Sequence, residues 1–140
     1  MAGTIDMQLM RYINLFARTT KVSTTRVFLY NNQIMFVIPK SKISLAIGKN
    51  AANIRKMSEM LRKKIRVVAM PADDGEGIKG FVESVIAPIE CNGVEVKDDV
   101  VVVNAGKQSK AALIGRNRMR EKELKEVLRD FFGFKDLKIV

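Results

Sequence analysis

The chain has 140 residues, of which 47% are hydrophobic and 29% are charged, and its formal net charge at pH 7 is +10. A chain of this length forms one domain or two small ones, and its excess of positive charge favours polyanionic partners such as RNA, DNA or an acidic membrane surface. It contains no histidine and one cysteine, Cys91. It therefore lacks the commonest general base and can form neither a disulfide framework nor a cysteine–histidine zinc cluster.

The sequence also predicts a cytoplasmic protein that is not an enzyme and needs no cofactor. A single cysteine suits a reducing compartment, and no apolar run reaches the roughly 18–20 residues that span a bilayer. The N-terminus shows no basic region followed by an apolar core, so we expect no signal peptide. No nucleophile paired with a base, no Walker-type loop and no set of metal ligands stands out.

Hydrophobic periodicity divides the first half of the chain into a helix, two strands, two helices and a third strand. The two strands flank a turn at Asn31-Asn32, and a short helix that follows ends at Gly48. We expect these elements at residues 4–18 (helix), 24–30 and 33–38 (strands), 40–47 (helix), a helix after Gly48 with Ile54, Met57 and Leu61 on one face, and 65–70 (strand).

Residues 71–77 mark the best boundary, because they contain turn formers and acids but no large apolar residue. We therefore expect a first domain at 1–70, a linker at 71–77 and a second domain at 78–140, packed as one unit because the linker is short. The second domain repeats the order of elements. Its expected elements are a helix at 78–86, a strand at 89–96 interrupted at Asn92-Gly93, a strand at 100–104, a helix at 108–114, a helix around 124–131 that ends at Gly133, and a strand at 137–140.

One short pattern occurs in both halves, as Ile47-Gly48-Lys49-Asn50 and as Ile114-Gly115-Arg116-Asn117. Each copy lies between two predicted helices. A glycine has no Cβ and lets the backbone approach a partner closely, and the helix that follows presents its N-terminal amides to phosphate. The basic residue after each glycine can neutralise the phosphate, and the asparagine can donate a hydrogen bond. The pattern therefore predicts two places that grip a nucleic-acid backbone.

The stretch from Ile47 to Ile54 resembles the KH signature, Ile-Gly-x-x-Gly-x-x-Ile, and the element order resembles the prokaryotic type II KH topology. Two such units in tandem resemble the archaeal NusA-like family. The resemblance implies an α+β fold of two tandem type II KH domains (helix-strand-strand-helix-helix-strand) packed as one unit. It further implies binding of single-stranded RNA, with about four nucleotides clamped by each loop, a role in transcription elongation, pausing, termination or antitermination, and RNA polymerase as a further partner, with no membrane and no small-molecule substrate.

This chain departs from the KH signature at three positions. The second glycine is Ala51 in the first copy and Arg118 in the second, and Glu121 replaces the isoleucine that the first copy keeps as Ile54. If the second glycine position needs a positive φ, another residue there costs roughly 1–2 kcal/mol. The second copy is thus the weaker predicted grip. The expected RNA-binding residues are Lys40, Ile47, Gly48, Lys49, Asn50, Ala51, Ile54, Arg55, Lys107, Gly115, Arg116, Asn117 and Arg118.

Two other interpretations stay open. Each glycine can simply end a helix, although two copies that each carry a basic residue and an asparagine favour a functional role. The chain can also be a protein-interaction scaffold on RNA polymerase or the ribosome, with degenerate loops. The charge distribution opposes the scaffold, because nine basic residues and one acid lie between Lys40 and Arg66, and eight basic residues and three acids lie between Lys107 and Arg129.

Overall fold

The computed structural model of the protein describes residues 7–72 and 75–140. The chain divides after Met70 into two compact units, which we call the first unit and the second unit. The predicted start of the first helix at residue 4 and the centre of the predicted linker, residues 73 and 74, lie outside the described residues.

The first unit contains three helices and a three-stranded sheet. Its central strand pairs antiparallel with the first strand and parallel with the third. In chain order the elements are α1 (Met7–Thr20), β1 (Val27–Tyr30), β2 (Gln33–Ile38), a 3₁₀ turn (Lys40–Lys42), α2 (Ile43–Ile47), a second 3₁₀ turn (Lys49–Ala51), α3 (Ala52–Leu61) and β3 (Lys64–Ala69).

The core of the first unit fixes the helices on the sheet. Phe16 of α1 stacks on Phe36 of β2 with ring centroids 4.2 Å apart, and both rings are fully buried. Ala46 of α2 and Met57 of α3 belong to the same buried cluster. Burying a side chain of this kind contributes about 1.5–3 kcal/mol, so the helix pair that carries the first glycine pattern is held firmly against the strands.

The second unit has the same order of elements and the same strand pairing. Its sheet runs β4-β5-β6, with β4 antiparallel and β6 parallel to the central strand. The elements are α4 (Gly75–Ile86), β4 (Gly93–Lys97), β5 (Val100–Asn104), α5 (Gly106–Ile114), a 3₁₀ turn (Arg116–Arg118), α6 (Met119–Phe132) and β6 (Asp136–Ile139). Leu113 of α5 and Leu124 and Leu128 of α6 are buried.

Most of the predicted elements are confirmed, and two strand starts are wrong. The structure confirms strands at 33–38 and 100–104 and the helix end at Gly133, whose φ is +75°. The first strand begins at Val27 rather than at residue 24, because Thr24 uses its side-chain hydroxyl to donate to the carbonyl of Val37. Residues 89–92 are not a strand. The N–H of Ile89 donates to the carbonyl of Ile86, which makes a turn after α4, and β4 begins only at Gly93.

The element content shows a mixed α+β fold. Within the described ranges, every helix is too short or too polar to cross a bilayer. The same ranges hold no group of three or more histidine, cysteine or acidic side chains placed to bind a metal ion.

Candidate nucleic-acid interface

The first loop, Gly48–Ala51, joins α2 to α3 through an unusual run of backbone angles. Gly48 has φ +80° and ψ 169°, a region that is essentially restricted to glycine, and its N–H ends α2 by donating to the carbonyl of Ser44 at 3.1 Å. Asn50 (φ 55°, ψ 33°) and Ala51 (φ 58°, ψ 28°) are both left-handed. The chain then enters α3 directly, so the loop forms a tight corner.

The second loop, Gly115–Arg118, repeats this backbone. Gly115 has φ 78° and ψ 171°, Asn117 has φ 55° and ψ 28°, and Arg118 has φ 60° and ψ 23°. The largest difference from the equivalent residue of the first loop is 5°, for example ψ 28° at Asn117 against 33° at Asn50. The position of the second signature glycine therefore has a positive φ in both loops. Ala51 and Arg118 each carry the strain of about 1–2 kcal/mol that a Cβ meets in this region.

A hydrogen bond across each corner accounts for part of this likeness. Asn53 donates from Nδ2 to the carbonyl of Leu45 at 3.3 Å, and Arg120 donates from Nη1 to the carbonyl of Ala112 at 3.0 Å. Both donors lie five residues after the loop glycine and both acceptors lie three residues before it. We call these two bonds the loop staples. Each staple ties the first turn of the second helix to the last turns of the first helix.

The loop staples are a second reason, besides the backbone angles, why Gly48 and Gly115 must be glycine. A Cβ built on Gly48 would lie 2.9 Å from Nδ2 of Asn53, and one built on Gly115 would lie 2.9 Å from Cγ of Arg120. The side chain that forms the staple thus passes directly over the glycine. The types of Asn53 and Arg120 in the sequence do not predict this role. The available signal was that both copies place a side-chain donor five residues after the glycine.

The side chains at the loop tips are free to meet a ligand. Lys49, Asn50, Arg116 and Asn117 are all exposed. Among residues 7–72 and 75–140, neither Lys49 nor Arg116 forms an ion pair, so no acid of these ranges neutralises either charge. Each loop therefore presents a cation and an amide next to a glycine.

The other predicted binding residues lie at different distances from the loops. Ile47 and Ile54 are half-buried, and Ile54 packs against the core cluster of the first unit. Arg55 is exposed in the first turn of α3. Lys40 and Lys107 are exposed but precede or begin the helix that leads into each loop. Since a helix rises 1.5 Å per residue, Lys107 lies about 12 Å along the axis from Gly115, outside the corner itself.

The second loop differs in its electrostatics. Nε of Arg118 lies 3.7 Å from Oε1 of Glu121, so part of the loop charge is compensated by the protein. A cleft of about 450 Å³ opens beside this loop, between α6 and β6. Its polar lining residues are Asn117, Arg118, Glu121, Lys122, Lys125 and Asp136.

Asp136, one acid of the cleft, accepts two bonds through the same carboxylate oxygen. Nζ of Lys125 lies 3.0 Å from Oδ1 of Asp136, and the same oxygen accepts the backbone N–H of Leu137 at 2.8 Å. These contacts, the bond from Lys125 above all, hold the pKa of Asp136 below the ordinary value of an aspartic acid. Asp136 is therefore ionised at neutral pH, and its Oδ1 already has two donors.

Known proteins resemble this chain over most of its length. A family model described as "KH domain" matches residues 11–72. Two relatives described as "Probable transcription termination protein NusA" align over 132 residues: that of Methanococcus vannielii is 28% identical, covering 91% of this chain and 74% of its own, and that of Methanocaldococcus jannaschii is 21% identical, covering 91% and 70%. A solved structure described as "Crystal structure of APE1850" superposes with a TM-score of 0.66 at 26% identity and covers 97% of this chain and 100% of that one.

Proposed function

We propose, from the premise that this chain is a NusA-like protein containing a KH domain, that it is a non-catalytic binder of single-stranded RNA. The observation that carries the proposal is the first loop. There a glycine-only corner leads into two left-handed residues, and the exposed Lys49 lies at its tip. A KH loop of this kind clamps the backbone of about four nucleotides and leaves the bases to the adjoining groove.

We also propose that the second unit is a type II KH domain, so that residues 1–70 and 78–140 form a tandem pair. They are joined by residues 71–77, the last three of which already belong to α4. Three features support this assignment: the same order of elements, the same antiparallel and parallel strand pairing, and backbone angles of the glycine and of the two left-handed residues that agree within 5°. Against an equal role in binding stands the Arg118–Glu121 ion pair. We therefore expect the first loop to contribute more of the RNA affinity.

The names of the two relatives mention transcription termination, which supports a role in transcription. We propose that this role is to modulate elongation, pausing, termination or antitermination in the cytoplasm, with RNA polymerase as a further partner. A second candidate function is a protein-interaction scaffold on the polymerase or the ribosome. The specific observation in its favour is the second loop, where a bulky Arg118 fills the signature glycine position and its charge is partly neutralised. RNA binding separates the two functions.

The test compares charge reversal at the two loop tips. Lys49→Asp with Asn50→Asp should remove most of the affinity for single-stranded RNA, because a cation and a neutral donor become two groups that repel phosphate. Arg116→Asp with Asn117→Asp changes the net charge by the same amount and should weaken binding less. All four side chains are exposed, so the melting temperature should change little in either variant.

Fluorescence anisotropy over a salt series gives the measurement. The wild type should prefer single-stranded RNA over duplex RNA, and its log–log salt slope should be about −0.7 for each phosphate contacted. The first double variant should have the shallower slope. Equal affinity for duplex RNA, or a flat salt response, would contradict the KH interpretation. If Arg116→Asp with Asn117→Asp lowers the RNA affinity more than the first variant does, the second loop is the main RNA clamp. If neither variant changes RNA binding, the result favours the protein-interaction scaffold.

A further inference from the structure

We propose that the cleft of the second unit takes up an unpaired guanine base and that Glu121 is the residue that recognises it. The proposal rests on the proposed function, since RNA must first reach the second loop. The cleft adjoins that loop, because Asn117 and Arg118 belong to both. Its volume of about 450 Å³ lies within the range of about 300–1,000 Å³ that is typical of small-ligand sites.

Glu121 differs in chemistry from the residue at the equivalent position of the first unit. It lies six residues after Gly115, as Ile54 lies six residues after Gly48. In the first unit that position is apolar and packs against the core cluster. In the second unit it is a carboxylate whose side chain is only 21% exposed and lines the cleft. An acid placed in a mostly covered wall is costly unless its oxygens find donors.

The partner that Glu121 has inside the protein leaves those oxygens able to accept. Nε of Arg118 lies 3.7 Å from Oε1, which is an ion-pair distance but longer than a hydrogen bond. An ionised carboxylate has about four acceptor positions. Asp136, the other acid of the cleft, differs because its Oδ1 already accepts from Lys125 and from the N–H of Leu137. Recognition therefore falls to Glu121.

Guanine is the base that matches a carboxylate. Its Watson–Crick edge carries two adjacent donors, N1–H and the N2 amino group, which can meet both carboxylate oxygens as an arginine fork does. Cytosine and adenine offer one amino group each beside an acceptor. Uracil offers one N–H between two carbonyl oxygens, which a carboxylate repels. Two cations of the cleft, Arg118 and Lys122, are not bound to Asp136 as Lys125 is. They suit the phosphate on either side of the base, since phosphate contacts position the strand and base contacts select the sequence.

The experiment measures affinity for two single-stranded RNAs that differ by one amino group. One alternates uridine with guanosine and the other alternates uridine with inosine, which lacks the N2 amine. The wild type should bind the guanosine RNA about tenfold more tightly, the effect of one hydrogen bond to a charged group. Glu121→Ile, which restores the signature residue, should bind both RNAs equally, because neither N1–H nor the N2 amino group then has a carboxylate to donate to. Glu126→Gln, on an exposed part of α6 outside the cleft, is the matched control and should keep the preference.

Each result decides one question. Equal binding of the two RNAs by the wild type, or a guanosine preference that survives in Glu121→Ile, overturns the guanine proposal and leaves the proposed function standing. If the wild type binds neither RNA, both proposals fail. Should Glu121→Ile not fold, as judged by circular dichroism, Glu121→Gln takes its place. That isosteric variant keeps one acceptor oxygen but no charge, and a preference as large as in the wild type would again overturn the proposal.

Discussion

Replacing Ala51 by glycine should stabilise the protein, although the same change costs stability at most alanines. Ala51 has φ 58° and ψ 28°, and a Cβ in this region costs about 1–2 kcal/mol. Glycine removes that strain but adds freedom to the unfolded chain, which costs about 0.4–1 kcal/mol. The methyl group of Ala51 is half-buried, and its loss removes less than the roughly 0.8 kcal/mol of a fully buried carbon. The balance is a gain of about 0.5 kcal/mol.

The next residue supplies a matched control. Ala52 begins α3 with φ −59° and ψ −42° and is exposed, so Ala52→Gly has no strain to relieve and should cost about 0.5–1 kcal/mol. The two neighbouring variants should thus differ by about 1–1.5 kcal/mol in free energy of unfolding, with opposite signs. Urea unfolding followed by circular dichroism, with the slope held in common, measures the difference. If Ala51→Gly loses as much stability as Ala52→Gly, left-handed strain does not explain the loop.

Two further predictions concern Gly48 and the ion pair between Lys125 and Asp136. Gly48→Ala should lower the free energy of unfolding, measured thermally, by about 2–3 kcal/mol, because φ +80° with ψ 169° is a glycine region and the new Cβ meets Asn53. Adding Asn53→Ala should restore only part of the lost stability. Full restoration would mean that the contact with Asn53, rather than the backbone conformation, causes the loss. Asp136 should titrate in NMR below the ordinary value of about 3.9, and Lys125→Gln should raise its pKa. Because the folded pKa is lowered, the pair stabilises the protein above the unfolded pKa and loses this effect as the pH falls through the folded one; an unchanged titration in Lys125→Gln would exclude this cause.

The elements that the sequence predicts best are those with a strong local signal. The strand at 33–38 is apolar and lies between an asparagine turn and Pro39, and it appears with those bounds. The two glycine patterns also fall at helix ends as predicted. The segment from Ile89 fails because its alternating side chains are typical of a strand, while its first N–H is taken by a carbonyl at the end of α4. A hydrogen bond of that kind depends on where the helix ends and has no side-chain signature.

The candidate site shows the same limit. The sequence predicts Gly48 and Lys49 as binding residues from their types and order, and it predicts strain at Ala51 only if φ is positive there. The sequence does not predict the loop staples, because the side chains of Asn53 and Arg120 differ in length, charge and geometry. Only the folded corner shows that both reach a carbonyl eight residues earlier in the chain. The RNA-binding roles of the loop residues stay predictions until binding is measured.

The two loops have the same backbone conformation but different side chains. One backbone path is held in the first unit by an asparagine and in the second by an arginine, and it accepts an alanine or an arginine at the same strained position. While the glycine and the asparagine are the same in both copies, the loop geometry therefore tolerates different residues at its second and fourth positions. An evolving chain can exchange those residues and alter what a corner binds without rebuilding the helices that support it. The protein thus contains two copies of one loop scaffold with different side chains, and each copy can serve as a control for the other in binding experiments.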